Sequence, residues 1–275
     1  MINTSSPDWL SIRRGESPLL LSIPHAGTDL VHVASQVMSP WLARMDADWY
    51  VDRLYDFAAE CDATIVSTSI SRSVIDVNRD PTSRNLYPGM ATTELVPTTT
   101  FDGVPLYEQG RAPDEAEQAV RRQRYYDPYH ETLRAELDRI KSLHGSVVLY
   151  DAHSIRSRVP RLFEGELPIF NIGTYDGRSC SPELVQMIER VCAGSTNSYI
   201  VNGRFKGGWI TREYGRPGQG IHAVQMELAC RAYMTEPDEP LNENNWPPIY
   251  SAEGAAGTRD ILRDVLEGCV EMELR

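Results

Sequence analysis

The chain has 275 residues, of which 41% are hydrophobic and 24% are charged, and its formal net charge is −12 at pH 7. This composition is typical of a globular protein with one large domain or two small ones. The negative charge argues against nucleic acid as a partner. No apolar run is long enough to cross a bilayer, and the N-terminal sequence MINTSSPDWLSIRRGE lacks the apolar core of a signal peptide.

The cysteines argue against a disulfide framework and against a zinc ribbon, because they are odd in number and form no Cys-x-x-Cys pair. A reducing cytoplasm therefore fits this chain best. The five cysteines are scattered as Cys61, Cys180, Cys192, Cys230 and Cys269.

The first half of the chain predicts strands separated by a helix and a long loop. Residues 19–25 (LLLSIPH) predict a buried strand that runs into a loop, and apolar residues at helical spacing predict a helix within residues 39–61. Residues 63–70 and 73–78 predict two further strands. Residues 81–112 hold many Pro, Gly and Thr residues, and a loop of that length is usually functional or flexible.

The second half continues the alternation of strands and helices. Residues 113–145 predict a helix with a break at Pro128 and an end at Gly145. Strands are predicted at 146–152, 168–173, 198–202 and 223–228, with helices at 182–193 and 251–272. We therefore expect a single α/β domain over residues 1–275, with a mixed, largely parallel sheet covered by helices on both faces.

Polar residues stand where two of the predicted strands end. In the segment LYDAHSIRS (149–157), Asp151 and His153 are two residues apart and leave the same face of an extended chain. His25 follows the first strong strand, beside a proline. Strand ends in open α/β sheets are common ligand sites. Taken alone, His153 could be either a core histidine satisfied by Asp151 or a metal ligand.

Three acids, Asp46, Asp48 and Asp52, surround the start of the helix predicted within 39–61. Helix capping and interaction with the helix dipole explain acids at such a position. Asp48 lies one turn before Val51 and so borders the buried face. Asp52 shares a side of the helix with Asp48 at i,i+4 but sits further round.

The segment SRSVIDVNRDP carries Arg72, Asp76, Asn78 and Arg79, with Asp76 and Asn78 on one face of the predicted strand. An arginine at a strand end can bind a carboxylate through two hydrogen bonds. The alternative is a structural ion pair between Arg79 and either Asp76 or Asp80.

A glycine-rich loop and a late strand hold the remaining candidates. The loop at 202–220 could clamp an anion or could simply be solvated. Glu227 and Gln225 share one face of an otherwise apolar strand, and burying such a carboxylate is costly unless it is paired or functional. The basic residues of the loop are Arg204, Lys206, Arg212 and Arg216.

Several long segments together resemble the N-formylglutamate amidohydrolase family, from about residue 18 to about residue 235. The resemblance implies a fold like that of zinc carboxypeptidases and aspartoacylases. It also implies hydrolysis of N-formyl-L-glutamate to formate and L-glutamate, the last step of a histidine degradation route. The segments are SIPHAGT, DADWYVDRLYDFA, SRSVIDVNRDP, LYPG, PTTTFDG, AHSIRS, FNIGTYDG and NGRFKGGWITREYGRPGQGIHAVQMELACRAYM.

The same resemblance implies roles for individual residues. His25 and His153 would be the imidazole ligands of one zinc ion, and Glu227 would be the general base. Asn78 and Arg79 would hold a carboxylate of a small anionic N-acyl amino acid substrate.

The chain departs from the pattern of the relatives at the first metal ligand. The relatives have His-x-x-Glu there, whereas the sequence HAGT places Thr28 in the position of the acid. The acid must then come from elsewhere, so Asp48 and Asp52 are the candidate ligands. We favour Asp48 because it borders the buried face of its predicted helix.

A dianionic substrate would need more than one arginine. We expect Arg79 to bind a carboxylate with help from Arg72 or from the loop at 204–216. Within that loop we expect Arg212 to bind the γ-carboxylate, with Arg204 or Lys206 as the alternatives. Two other functions remain open: a zinc-dependent deacylase of another N-acyl amino acid, and a non-catalytic binding protein on the same fold. The joint presence of His25, His153 and Glu227 argues against the second.

Overall fold

The structure is a computed structural model that describes residues 7–82, 84–86, 88–238 and 240–272. The first six residues of the N-terminal segment discussed above, Tyr87 of the LYPG segment, and the last three residues of the chain lie outside the described residues. None of the described helices is long and apolar enough to span a bilayer.

The described strands are β1 (Leu10–Arg13), β2 (Leu19–Ile23), β3 (Thr64–Thr68), β4 (Val147–Ile155), β5 (Phe170–Gly173), β6 (Tyr199–Val201) and β7 (Ile221–Ala229). They form one mixed sheet in the order β1-β3-β2-β4-β7-β5-β6. Four of its pairings are parallel, whereas β1 runs antiparallel to β3 and β5 runs antiparallel to β7.

Helices cover both faces of this sheet, which confirms the expected α/β class. On one face, Tyr150 and Met226 belong to a core that also contains Leu184 and Leu262. On the other face, Leu149 belongs to a core with Leu133. The α-helices are α1 (Pro40–Arg44), α2 (Val51–Leu54), α3 (Glu115–Arg121), α4 (Asp127–His144), α5 (Pro182–Ala193), α6 (Trp209–Tyr214) and α7 (Ala252–Glu271).

The face that packs on α4 changes from apolar to polar toward the carboxyl ends of three neighbouring parallel strands. Ser22 of β2, Asp151 of β4 and Gln225 of β7 lie side by side in the ladder. Two residues further along β4 and β7, His153 lies beside Glu227. Because side chains alternate between faces, all five point to the same side of the sheet.

The prediction of one helix within residues 39–61 is wrong. The chain forms only the short helices α1 and α2, followed by a 3₁₀ turn at Asp56–Ala59. Tyr50 adopts a left-handed conformation with φ 64°, which a continuous helix cannot contain. Just before it, the backbone N–H of Asp48 donates to the carbonyl of His25 at 3.0 Å. This interruption turns Asp48 inward, toward the end of β2.

The strand predicted at 73–78 is also wrong, because this segment forms turns. The backbone N–H of Val74 donates to Ser71 O, and the N–H of Asn78 donates to its near neighbour Asp76 Oδ1. Local bonds from an aspartate to the following backbone compete with strand pairing and favour turns. Asp76 and Asn78 therefore do not share a strand face.

The predicted break at Pro128 is absent. Helical structure runs from α3 to α4 through a π-helical segment at Arg122–Tyr126, and Pro128 lies in the first turn of α4. The helix ends at Gly145, as predicted, where φ is 81° and the backbone N–H donates to Lys141 O at 2.7 Å. Strand β1 lies in a segment for which no strand was predicted.

Candidate active site

The candidate site lies at the edge of the sheet where the parallel strands β2, β4 and β7 end. His25 follows β2 by two residues, while His153 and Glu227 are neighbours near the ends of β4 and β7. Asp48 reaches the same place from the turn before α2. The backbone N–H of Ser154 anchors it there by donating to Asp48 Oδ2 at 3.2 Å.

His25, Asp48 and His153 form a buried group whose potential ligand atoms all lie within 4.8 Å of one another. The Nδ1 atoms of His153 and His25 lie 2.9 and 3.7 Å from Asp48 Oδ2. Although it is buried, His25 Nδ1 has no hydrogen-bond partner within the part of the chain that the structure describes. An unpaired polar atom in the interior is costly, and a cation bound between these three atoms would satisfy it. The residues present thus fit a metal ion.

Each imidazole is hydrogen-bonded through Nε2 to the carboxylate of a second aspartate. His25 Nε2 donates to Asp76 Oδ1 at 2.7 Å, and His153 Nε2 donates to Asp151 Oδ2 at 2.9 Å. In both rings Nε2 is held by an aspartate while Nδ1 faces Asp48. Metal-binding histidines are usually oriented by such outer carboxylates, which fix the tautomer and the plane of the ring.

The charges inside this group stabilise one another. Burial alone would raise the pKa of Asp48, but its contacts with His153 and His25 outweigh burial and hold that pKa well below its usual range. Burial likewise opposes protonation of His153, but Asp151 and Asp48 raise its pKa well above the ordinary value. Both ring nitrogens of His153 therefore face negative charge, the environment that a cation would also favour.

Glu227 is the second buried acid of the site. Gln225 orients it, donating from Nε2 to Glu227 Oε2 at 3.0 Å, and the backbone N–H of Gly208 in turn donates to Gln225 Oε1. Burial raises the pKa of Glu227 to about 7, with His153 opposing and Asp48 adding to the increase. A carboxyl group with this pKa can both accept and return a proton near neutral pH.

Three arginines, Arg72, Arg79 and Arg204, line the cleft above this group. Arg72 donates to Asp48 and to Asp76 at 3.3 and 3.0 Å. Arg79 Nε donates to Asp76 Oδ2 at 3.1 Å, and its Nη2 donates to the hydroxyl of Thr93 at 2.8 Å.

The cleft also has an apolar lining, which packs against its arginines. The ring of Phe101 lies against the guanidinium of Arg72, with 4.8 Å between the guanidinium carbon and the ring centroid. The site therefore combines charged and hydrophobic lining residues. Apolar lining comes from Phe101, Ile155, Leu162 and Phe205.

Two of the predicted site residues lie elsewhere. Asp52 is exposed on α2, because the turn at Tyr50 directs Asp48 inward and leaves Asp52 outside. Arg212 is not among the residues that line the cleft. It donates to the carbonyls of Gly207 and Leu86, both at 2.8 Å, so its contacts hold two loops together.

Asn78 lies in the cleft, but its amide is engaged inside the buried network. Its Nδ2 donates to Asp151 Oδ2 at 3.0 Å and lies 2.8 Å from His153 Nε2, and its Oδ1 accepts from the backbone of Ile210. A Cβ at Gly208 would approach Asn78 Nδ2 to 2.5 Å, so the close packing here requires glycine.

Sequence reasoning missed the central position of Asp76. This fully buried carboxylate accepts hydrogen bonds from His25, Arg72 and Arg79, and so joins a candidate metal ligand to two candidate substrate-binding residues. The sequence suggested Asp76 only as an ion-pair partner of Arg79. That pair is present, but the contact with His25 had no local signal because the two residues are 51 positions apart.

Two imidazoles and a carboxylate beside a buried glutamate, at the carboxyl edge of parallel strands, form an arrangement typical of metal-dependent hydrolases. The sequence comparisons identify a family of hydrolases. Residues 17–234 match the N-formylglutamate amidohydrolase family, and the chain belongs to that family.

Two similar proteins are described as N-formylglutamate deformylases. The one from Pseudomonas aeruginosa is 46% identical over 260 residues, which cover 94% of both chains. The one from Pseudomonas putida is 45% identical over the same length and coverage. Among solved structures, the N-formylglutamate amidohydrolase from Ralstonia eutropha JMP134 aligns with a TM-score of 0.75 at 26% identity, over 96% of this chain and 98% of the other.

Proposed function

We propose that this protein is a metal-dependent deformylase that hydrolyses N-formyl-L-glutamate to formate and L-glutamate. The observation that carries the proposal is the buried group of His25, Asp48 and His153 beside Glu227, in a chain of this family. The Pseudomonas relatives, which carry the name of this activity, support the choice of substrate.

His25, Asp48 and His153 would hold one divalent ion, which we propose is zinc. Two imidazole nitrogens and one carboxylate oxygen are ligands that suit zinc and leave a coordination position open. When bound, the ion would polarise the scissile carbonyl and activate water for attack. Asp76 and Asp151 would keep both imidazoles in the orientation that presents Nδ1 to the ion.

Glu227 would act as the general base. Its carboxylate would take the proton of the attacking water and then deliver it to the nitrogen that leaves as the amine of glutamate. Gln225 would keep the carboxylate directed toward the cleft.

The charges of the cleft fit an anionic substrate once a divalent ion is present. When Glu227 is ionised, it and the three aspartates in contact with the histidines, Asp48, Asp76 and Asp151, carry four negative charges, against three positive charges on the arginines that line the cleft. A divalent ion would change this balance from one net negative to one net positive charge, which favours binding of an anionic substrate such as N-formyl-L-glutamate. We assign the α-carboxylate to Arg79, with Arg72 and Asn78 beside it.

Arg204 is better placed than Arg212 for the γ-carboxylate, because Arg204 lines the cleft. It donates to the carbonyls of Leu162 and Ala91 at 2.8 and 3.0 Å, and these bonds would orient its guanidinium. Arg212 would act indirectly, through the two loops that it joins.

We further propose that the enzyme works in the cytoplasm, at the last step of a histidine degradation route. The cysteines, all of which are free thiols, fit a reducing compartment.

A hydrolysis assay tests the proposed function. Formate release should be fast with N-formyl-L-glutamate and at least tenfold slower with N-acetyl-L-glutamate and N-formyl-L-aspartate. A preference for the acetyl substrate would favour a deacylase of another N-acyl amino acid. Binding of N-formyl-L-glutamate without hydrolysis, by protein that contains no metal, would favour a binding protein.

A further inference from the structure

The loop at residues 71–79 carries Asp76, Asn78 and Arg79, yet no strand pairs with it. Its backbone carbonyls are buried and must find donors elsewhere, because an unsatisfied buried carbonyl costs free energy. One of them, Asn78 O, accepts from the backbone N–H of Trp209 at 3.4 Å. The donors to three others are side chains.

All three of these side chains belong to one helical run, from α3 through the π-helical segment to α4. Each donates to a different carbonyl of the loop, so the helix holds the loop at three points along its length. The bonds are Arg121 Nη1 to Val74 O at 3.2 Å, His130 Nε2 to Val77 O at 2.8 Å, and Tyr126 OH to Arg79 O at 2.8 Å.

A regular α-helix could not bring these three donors to one loop. An α-helix turns about 100° per residue, so Arg121 and His130, nine positions apart, would point in roughly opposite directions. A π-helical turn accommodates one extra residue and removes about one residue of rotation. The angle between Arg121 and His130 then falls to roughly 80°, with Tyr126 lying between them. The π-helical segment is Arg122–Tyr126.

We propose that the π-helical segment positions the substrate-binding loop, and that Tyr126 and His130 are positioning residues for Arg79 and Asn78. This inference rests on the proposed function, in which Arg79 binds the α-carboxylate of the substrate. Tyr126 acts on Arg79 through its backbone carbonyl and is not among the residues that line the cleft.

His130 extends the same support to a second loop. Its Nδ1 accepts from the hydroxyl of Tyr214 at 2.7 Å, while its Nε2 donates to Val77 O. Burial lowers the pKa of His130 to about 4, so the ring is neutral at physiological pH and keeps one donor and one acceptor. Tyr214 ends α6, whose residue Ile210 donates to Asn78 Oδ1. His130 thus links the two segments that meet at Asn78.

Neighbouring tyrosines provide a matched test. Tyr126→Phe removes the hydroxyl that donates to Arg79 O, whereas Tyr125→Phe removes a buried hydroxyl that has no hydrogen-bond partner among the described residues. Both changes delete one oxygen in the same turn. We expect Tyr126→Phe to raise the KM for N-formyl-L-glutamate about three- to tenfold, the usual effect of one net hydrogen bond, with kcat and metal content unchanged.

A further readout separates positioning from general destabilisation. In Tyr126→Phe, the preference for N-formyl-L-glutamate over its α-carboxamide should fall by about the same factor as KM rises.

Equal KM values for the Tyr126→Phe and Tyr125→Phe variants of an active enzyme would overturn the inference. Failure of the proposed function would look different, because wild-type protein would then release no formate. In that case the rate of backbone hydrogen exchange at residues 74–79 tests whether Tyr126 positions the loop. Faster exchange in Tyr126→Phe than in Tyr125→Phe supports the positioning role, and equal exchange overturns it.

Discussion

Two regions of the molecule meet in the cleft, and they are held in place by different means. At the ends of β4 and β7, the backbone ladder sets His153 beside Glu227. The loop at 71–79 pairs with no strand, and side chains of the helical run from α3 to α4 donate hydrogen bonds to its backbone carbonyls. Strands thus present His153 and the proposed base Glu227, whereas a braced loop presents Arg79, the proposed partner of a substrate carboxylate.

The largest expected effect distinguishes the two acids near the strand end. Asp48→Asn should abolish metal binding and activity together, because the carboxylate lies between the two imidazoles. Asp52→Asn, an identical change on an exposed residue one turn away, should leave both unchanged. Metal analysis of the two purified variants checks this. Full metal content in Asp48→Asn would remove Asp48 from the site.

Glu227→Gln tests the proton-transfer role of the strand region. We expect kcat to fall about 10²- to 10⁴-fold, because the amide cannot accept a proton, while metal content and melting temperature change little. Single-turnover and steady-state assays on N-formyl-L-glutamate measure the loss. A glutamate with a purely structural role would instead show lowered stability with near-normal kcat.

Arg79→Lys probes the loop region. The variant keeps the charge but loses the planar fork, so we expect a cost of about 2 kcal/mol in kcat/KM, or roughly 30-fold, mainly through KM. Metal content should be unchanged, in contrast to Asp48→Asn. Kinetics on N-formyl-L-glutamate and on its α-carboxamide check the assignment. An equal loss on both substrates would show that Arg79 does not meet the α-carboxylate.

The smallest expected effect separates Arg204 from Arg212, which lies in helix α6 and not in a loop as the sequence predicted. Arg204→Ala should lower the preference for N-formyl-L-glutamate over N-formyl-L-norvaline about tenfold, whereas Arg212→Ala should weaken both substrates slightly and equally. The reason is that Arg204 lines the cleft and Arg212 does not. The reverse pattern would return the γ-carboxylate to Arg212, the role suggested by the sequence.

The strand-borne half of the site could be predicted from the sequence because β-structure has a simple period. Asp151 and His153, two residues apart on an apolar run, had to share a face, and Gln225 and Glu227 had to do the same. The parallel register that aligns these pairs is a tertiary feature, but the similar position of each pair near a strand end favoured it.

The loop-borne half followed no local period. Residues 73–78 are apolar and β-branched enough to predict a strand, yet Asp76 and Asn78 bond locally and through distant partners instead. The helix expected within 39–61 is interrupted at Tyr50 by a left-handed residue that no glycine or proline marks. The inward position of Asp48 follows from that interruption. The sequence therefore favoured the acid that lies beside the two histidines for only part of the reason.

The central claim is that His25, Asp48 and His153 hold one catalytic divalent ion. The most direct measurement determines metal content and formate release on the same samples of wild-type protein and His153→Ala. We predict about one divalent ion per wild-type chain, and loss of both the metal and the release of formate from N-formyl-L-glutamate in the variant. A His153→Ala protein that keeps its full metal content would contradict the claim.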